Sequence, residues 1–200
     1  MEKDRLIAFS DGVLAVVITI MVLELKAPRD PNLAALAADA PTFLAYILSF
    51  LYIGIYWNNH HHLFILVSQV RGVVLWANLH LLFWLSLIPF TTSWLGEHPS
   101  SAAPAAIYGL SLLMPAIAYY ALQKLLIRGD GRGSSDLARA LGRDLKGKLS
   151  PALYVTGIAL SFFAPSFAEG IYVLVALMWL IPDPRIERAV RAERSHNEGI

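Results

Sequence analysis

What most limits this chain is a succession of apolar runs about 20 residues long, separated by charged or Pro- and Gly-containing links. Wound as an α-helix at ~1.5 Å per residue, such a run matches the hydrocarbon thickness of a bilayer. The runs predict spans over residues 5–25, 41–64, 72–95, 102–127, 150–167 and 171–183. The expected fold class is all-α: a polytopic membrane protein with six transmembrane helices in a single domain, a polar loop at 128–149 and a charged tail at 184–200. Composition agrees, with 56% hydrophobic and 16% charged residues, where a soluble chain carries about 25% charged. No cysteine is present, which excludes disulfides, thiolate metal sites and Cys nucleophiles.

Lys3 and Arg5 ahead of an apolar core imitate a secretory leader, and Ala35-Leu36-Ala37 imitates its cleavage triplet. Glu24, Lys26, Arg29 and Asp30 stand between the two, and Asp11 suits no signal core, so the run is read as a retained span. A net charge of +1 offers no global field for nucleic acid, which is not expected as a partner. The distribution of charge is informative. One side of the six crossings holds 14 of the 16 Lys and Arg residues, and the other has only Lys26 and Arg29. The positive-inside rule then puts both termini in the cytoplasm. Within the polar loop, Ser135 would cap a short surface helix with Leu137, Leu141 and Leu145 on one face. The tail segment RIERAVRAER is also expected to be helical at first.

The first run, RLIAFSDGVLAVVITIMVLELKA from Arg5 to Ala27, is unlike the others. Polar and charged groups at membrane depth are expensive, which makes Ser10 and Asp11 functional candidates. At 100° per residue, Val16, Thr19, Ile20 and Leu23 share one stripe, while Ser10 and Asp11 point away from it, towards neighbouring helices. Six crossings bring Trp57, His60, His61, His62 and Asn78 to the same cytoplasmic depth as Asp11. A buried carboxylate facing these Asn, His and Trp donors is expected. Spans four to six have almost no polar residues in their apolar cores, so they are expected to be lipid-facing packing. Trp57, Trp76, Trp84, Trp94 and Trp179, with Tyr119 and Tyr120, are expected mostly as interface belts and packing.

Consecutive histidines on a helix diverge by 100°, so His60, His61 and His62 cannot converge on one ion. They are expected as interfacial donors holding span two against span one, with no metal. Gly-x-Ser-x-Gly, His-Glu-x-x-His and Walker patterns do not occur, and Gly129–Gly133 lacks the Lys-Ser/Thr ending, so neither an enzyme nor a cofactor is expected. The stripe on the first run would suit simple packing. With Glu24 at its outer mouth it would also suit a cation path whose apolar constriction gates by dewetting. A proton- or cation-coupled secondary transporter, with Asp11 and the His cluster as relay, is the alternative. It predicts an inverted internal repeat, which residues 1–95 and 102–200 do not display.

Arg5-x-x-x-Phe9-Ser10-Asp11-Gly12, opening the first of six runs, resembles the hallmark of the transmembrane protein 175 family. Trp57 with the following His cluster, Asn78 and Pro89-Phe90 support the resemblance. The animal member is the lysosomal and endosomal potassium channel, and this chain is similar to the prokaryotic type, with one six-span repeat in place of two. The resemblance implies a potassium-favouring cation channel without the Thr-Val-Gly-Tyr-Gly filter. It implies a homotetramer in the prokaryotic cell membrane, with four first helices around a central pore that K⁺ ions permeate. Pore layers would fall on Val16, Ile20 and Leu23, with a hydroxyl position at Thr19; Val16 is smaller than the Ile or Leu usual at its layer. Arg5, Phe9, Ser10 and Asp11 would hold the inner helix ends together and not contact ions.

Overall fold

The computed structural model describes residues 3–67, 70–129 and 145–181, in which eight helices and no strands occur. The expected surface helix capped by Ser135 and the tail beyond residue 181 lie outside the described residues.

Helix α1 runs Lys3–Leu23. A short α2, Leu33–Ala38, follows in the first link, capped by Asn32, whose Oδ1 accepts the Ala35 N–H at 2.7 Å. Helix α3, Ala40–Ile65, begins with Pro41 in its first turn, where a missing N–H costs nothing. The third run is broken into α4, Gly72–Ser86, and α5, Ile88–Glu97, with Pro89 in the first turn of α5. Proline cannot donate to the carbonyl four residues back, so the helix restarts there. Helix α6, Ala102–Gly129, continues through Pro115. Helices α7, Leu145–Ser161, and α8, Pro165–Leu180, complete the described bundle.

Two expectations need correction. Four helical stretches, not six, are long and apolar enough to cross a membrane among the described residues: α1, α3, α4 with α5, and α6. The fifth and sixth are shorter, at 17 and 16 residues, or about 25 Å each. The turn between them also moves, from Glu169-Gly170 to residues 162–164. Pro165 starts α8 early, and Glu169 sits inside that helix, where Oε1 accepts the Ser100 N–H at 3.1 Å.

Helix α1 packs on α3, α4 and α5, while α6, α7 and α8 pack on one another behind them. Two apolar cores result. One joins Leu6, Leu14, Val17 and Met21 of α1 to α3, α4 and the C-terminal part of α6. The other gathers Tyr52, Tyr108, Leu112, Tyr154, Tyr172 and Val175 from α3, α6, α7 and α8.

The second core is less plain than expected from sequence. Tyr172 is fully buried, and a Cβ at either Gly109 or Gly157 would run into its ring. Its hydroxyl donates to the Ala105 carbonyl at 3.1 Å, and the Tyr52 hydroxyl donates to the Tyr172 carbonyl. Nearby, Ser49 shares hydrogen bonds with Tyr108 at 2.8 Å and Thr92 at 2.6 Å, and Thr91 with Ser111 at 2.9 Å. The back of the bundle is thus tied by hydroxyls, which satisfy in apolar surroundings what lipid cannot.

Candidate functional site

On α1, the buried residues Leu6, Ser10, Leu14, Val17 and Met21 fall within about 40° of one meridian. The opposite side is bare. Val16 is 55% exposed, Ile20 42% and Leu23 78%, and Thr19 is exposed between them. Arg5, Phe9 and Gly12 lie on the exposed side too. Arg5 and Phe9 border a groove shared with Leu75, Asn78 and Leu79 of α4.

The N-terminal half of α1 is fastened by a directional chain of hydrogen bonds. Asn78 of α4, 2% exposed, donates from Nδ2 to Ser10 Oγ at 2.9 Å, and Ser10 Oγ donates to the Leu6 carbonyl at 2.9 Å. On its other side, Asn78 Oδ1 lies 2.8 Å from His60 Nε2 of α3. An amide oxygen can only accept, so His60 carries its proton on Nε2. Its Nδ1, with a lone pair, has no partner among the described residues. Three helices are thereby joined through Asn78.

Asp11 has a different partner. Its Oδ1 accepts the Trp57 indole N–H at 3.0 Å, and the Trp57 ring stacks on His61, with His62 adjoining His61. The expected carboxylate facing Asn, His and Trp together is therefore divided. Trp57 goes to Asp11, but Asn78 goes to the serine one residue earlier, with His60 bonded to Asn78 behind it. A 100° step between Ser10 and Asp11 separates the two sets. Asp11 is only partly buried and Trp57 remains exposed, so the costlier charge stays nearer the edge.

The stripe itself bears one polar group. Thr19 Oγ1 donates back to its own helix, to the Val16 carbonyl at 2.9 Å and the Ala15 carbonyl at 3.1 Å. With its hydrogen so used, the hydroxyl presents lone pairs outward. Just past the C-terminal end of α1, Glu24 Oε2 accepts from Ser93 at 3.3 Å, and Lys26 pairs with Glu97 at 3.4 Å on the surface. Glu24, Ile20, Ser93, Phe90 and Glu97 line an open groove between α1 and α5. Among the described residues, no three His, Asp or Glu side chains gather to hold a metal ion.

Several aromatic residues expected as belts prove to be tethers. Trp84 donates to His80 Nε2 at 2.8 Å, Trp179 to Ser150 Oγ at 2.8 Å, and Tyr119 to the Asn59 carbonyl at 3.0 Å. The four-residue step from His80 to Trp84 was a readable signal; the other two pairings join distant helices and left none.

Residues 5–89 match the family described as Endosomal/lysosomal potassium channel TMEM175. Potassium channel HX13_20290 of Chryseobacterium sp. (strain P1-3) is 56% identical over 191 residues, a match covering 96% of this chain and 99% of that one. The crystal structure of a lysosomal potassium-selective channel TMEM175 homolog from Chamaesiphon minutus superposes with a TM-score of 0.77 at 30% identity, over 90% of this chain and 96% of that one. The chain belongs to the TMEM175 family.

The TMEM175 relatives differ in what they are named for. A human protein called Endosomal/lysosomal proton channel TMEM175 is 38% identical over 96 residues, which is 42% of this chain and 19% of that protein. The family stretch, residues 5–89, contains every residue of the Ser10 and Asp11 hydrogen-bond sets, but not α6 to α8.

Proposed function

We propose that this TMEM175 member is a potassium-favouring cation channel whose four copies surround a pore with α1. The supporting observation is the bare stripe Val16–Thr19–Ile20–Leu23 on the helix that carries the family motif. Together with relatives named potassium channels, it favours conduction over mere lipid contact for that face. Four copies would stack apolar rings at Val16, Ile20 and Leu23, with Thr19 oxygens between them as acceptors for a partly hydrated K⁺. A wide, wet ring conducts, and a narrower one dewets and closes. Glu24 would draw cations to the outer mouth.

In this reading the chain crosses the cell membrane of a prokaryote six times. The two short helices α7 and α8 complete the crossings, and both termini are cytoplasmic because 14 of the 16 basic residues then face inward. Arg5, Phe9, Ser10, Asp11 and Gly12 set the inner helix ends, with Trp57, His60, His61, His62 and Asn78 as partners. Permeant K⁺, membrane lipid and three further copies of the chain are the only partners required.

Liposomes carrying the purified protein and a K⁺ gradient provide the test. K⁺ flux above that of empty liposomes, raised by Ile20→Ser or Leu23→Ser together with increased Na⁺ leak, is the expected result. Flux unaltered by either change would remove α1 from the pathway. The coupled-transporter reading, with Asp11 and the His cluster as relay, instead requires saturable K⁺ movement tied to an opposing H⁺ gradient.

A further inference from the structure

We infer that the turn joining α7 to α8 is a lipid-binding surface at which the bilayer is drawn thin, with three phenylalanines lying among acyl chains. The turn carries Phe162 and Phe163, 64% and 88% exposed, and Phe167, one helical turn on, is 73% exposed. Phe163 is the most exposed large apolar side chain among the described residues. Apolar side chains left bare side by side mark contact with a membrane or with another protein.

Two observations favour lipid. The polar groups beside the turn are engaged on its other side: Glu169 Oε1 accepts the Ser100 N–H at 3.1 Å, and Ser166 Oγ lies 2.9 Å from Ser100 Oγ. The turn's backbone donors are also met within the hairpin. The N–H groups of Phe163 and Ala164 donate to the Leu160 carbonyl at 3.0 and 2.8 Å, and those of Phe167 and Ala168 to the Ala164 carbonyl at 3.1 and 3.2 Å. Pro165 has no N–H to place. Lipid, unlike water, demands such internal pairing. The bare surface also continues without a charge along one face of α8, through Phe167, Gly170, Leu174 and Leu177 to Ile181 just beyond it, so the turn prolongs a face already suited to acyl chains.

The thinning follows from length. Helices α7 and α8 have 17 and 16 residues, where α3 and α6 have 26 and 28. At the rise of an α-helix the hairpin falls ~5 Å short of the hydrocarbon layer. Its lysine end is fixed at the headgroups by exposed Lys148 and by Lys146, whose Nζ donates to the Ile181 carbonyl at 2.7 Å. Sliding towards the other face is blocked by the Tyr172 ring, which fills the space beside Gly109 and Gly157. No charged residue occurs from Leu149 to Ala168, so the far end offers nothing to hold it in water. A span both short and fixed brings the headgroups to its tip by thinning the bilayer. The site rests on the six crossings proposed above and not on ion conduction.

The absence of cysteine lets Phe163→Cys carry a single thiol-linked fluorophore in the full chain, reconstituted in phosphatidylcholine liposomes. Asp30→Cys in the exposed link and Leu174→Cys on the bare face of α8 give the water and lipid references. Iodide on both faces should quench the label at position 30 and lose that effect at 163 and 174. Lipid brominated at the carbonyl end of its chains should quench at 163. In equal mixtures of short- and long-chain lipid, with bromine on one or the other, the short lipid should be enriched about twofold around position 163. Ile47→Cys, exposed on the 26-residue α3, should show no such excess. Iodide reaching 163 as freely as 30 would overturn the site. Protection from both quenchers would also overturn it, since a second copy would then cover the turn, and equal quenching by short and long lipid would remove the thinning. Failure here with intact K⁺ flux leaves the channel reading standing, and absent flux with this quenching pattern leaves the lipid site standing.

Discussion

Helices α1 and α8 are both strongly apolar, yet the bundle holds them in opposite ways. Helix α8 is seated by Tyr172 at its middle, wedged where Gly109 and Gly157 make room and anchored through both its hydroxyl and its carbonyl. Helix α1 is fastened at one end, through Ser10 and Asp11, and its opposite face stays bare from Val16 to Leu23. The lesson is a division of labour. Hydroxyls tie the rear helices together, and the front helix is secured at the base with its opposite face left uncommitted.

The sharpest way to break this contrast is Tyr172→Ala. Emptying the wedge should cost about 3–5 kcal/mol, as for large aromatic truncations in packed cores, and thermal unfolding in detergent should show the greatest fall of any change considered. A small effect would mean that the rear of the bundle is not rigid. Next in size is Asn78→Leu, which strands the His60 Nε2–H and cuts the link from Ser10 to α4. Leaving buried polar groups unsatisfied costs about 1–3 kcal/mol, and the loss should appear in unfolding and in the yield of assembled protein. Trp57→Phe removes only the indole donor to Asp11. Hydrogen bonds between membrane helices average about 0.6 kcal/mol, so a modest melting shift with the assembly retained is expected. Smallest for stability is Leu23→Ser, at 78% exposure, with an effect within about 0.5 kcal/mol. In flux assays its rank should invert, since the same change alters the proposed pore lining. If it instead destabilises the fold, the bare face is packed against something and the contrast fails.

Much of α1 was legible beforehand. The 100° rule separates Ser10 from the stripe without coordinates, and the structure keeps that separation, with Ser10 buried and Val16, Thr19, Ile20 and Leu23 exposed. The choice of partner was not legible. Asn78 reaches Ser10 in place of Asp11, and His60 reaches Asn78, because of how α3 and α4 are rotated about their axes, and no spacing within one helix encodes that rotation. The rear core was misread for a related reason. Tyr108, Ser111 and Tyr172 are scattered hydroxyls in apolar runs, and only the approach of α6, α7 and α8 at Gly109 and Gly157 gathers them. The boundary of α8 was missed because apolar content runs unbroken across Phe162 and Phe163, while Pro165, a helix-starting residue, marks the true restart.

The line of donors from His60 through Asn78 and Ser10 to the Leu6 carbonyl has a consequence for how α1 can move. Each group passes its hydrogen in one direction, and of the three links only Asn78 to Ser10 joins α1 to another helix. A rotation of α1 that released Ser10 would strand the Asn78 Nδ2 donor, while the His60–Asn78 bond between α3 and α4 and the Ser10–Leu6 bond within α1 would persist. The base of α1 therefore hangs on the Asn78–Ser10 and Trp57–Asp11 bonds, and motion of α1 that keeps them must arise further along, towards Leu23.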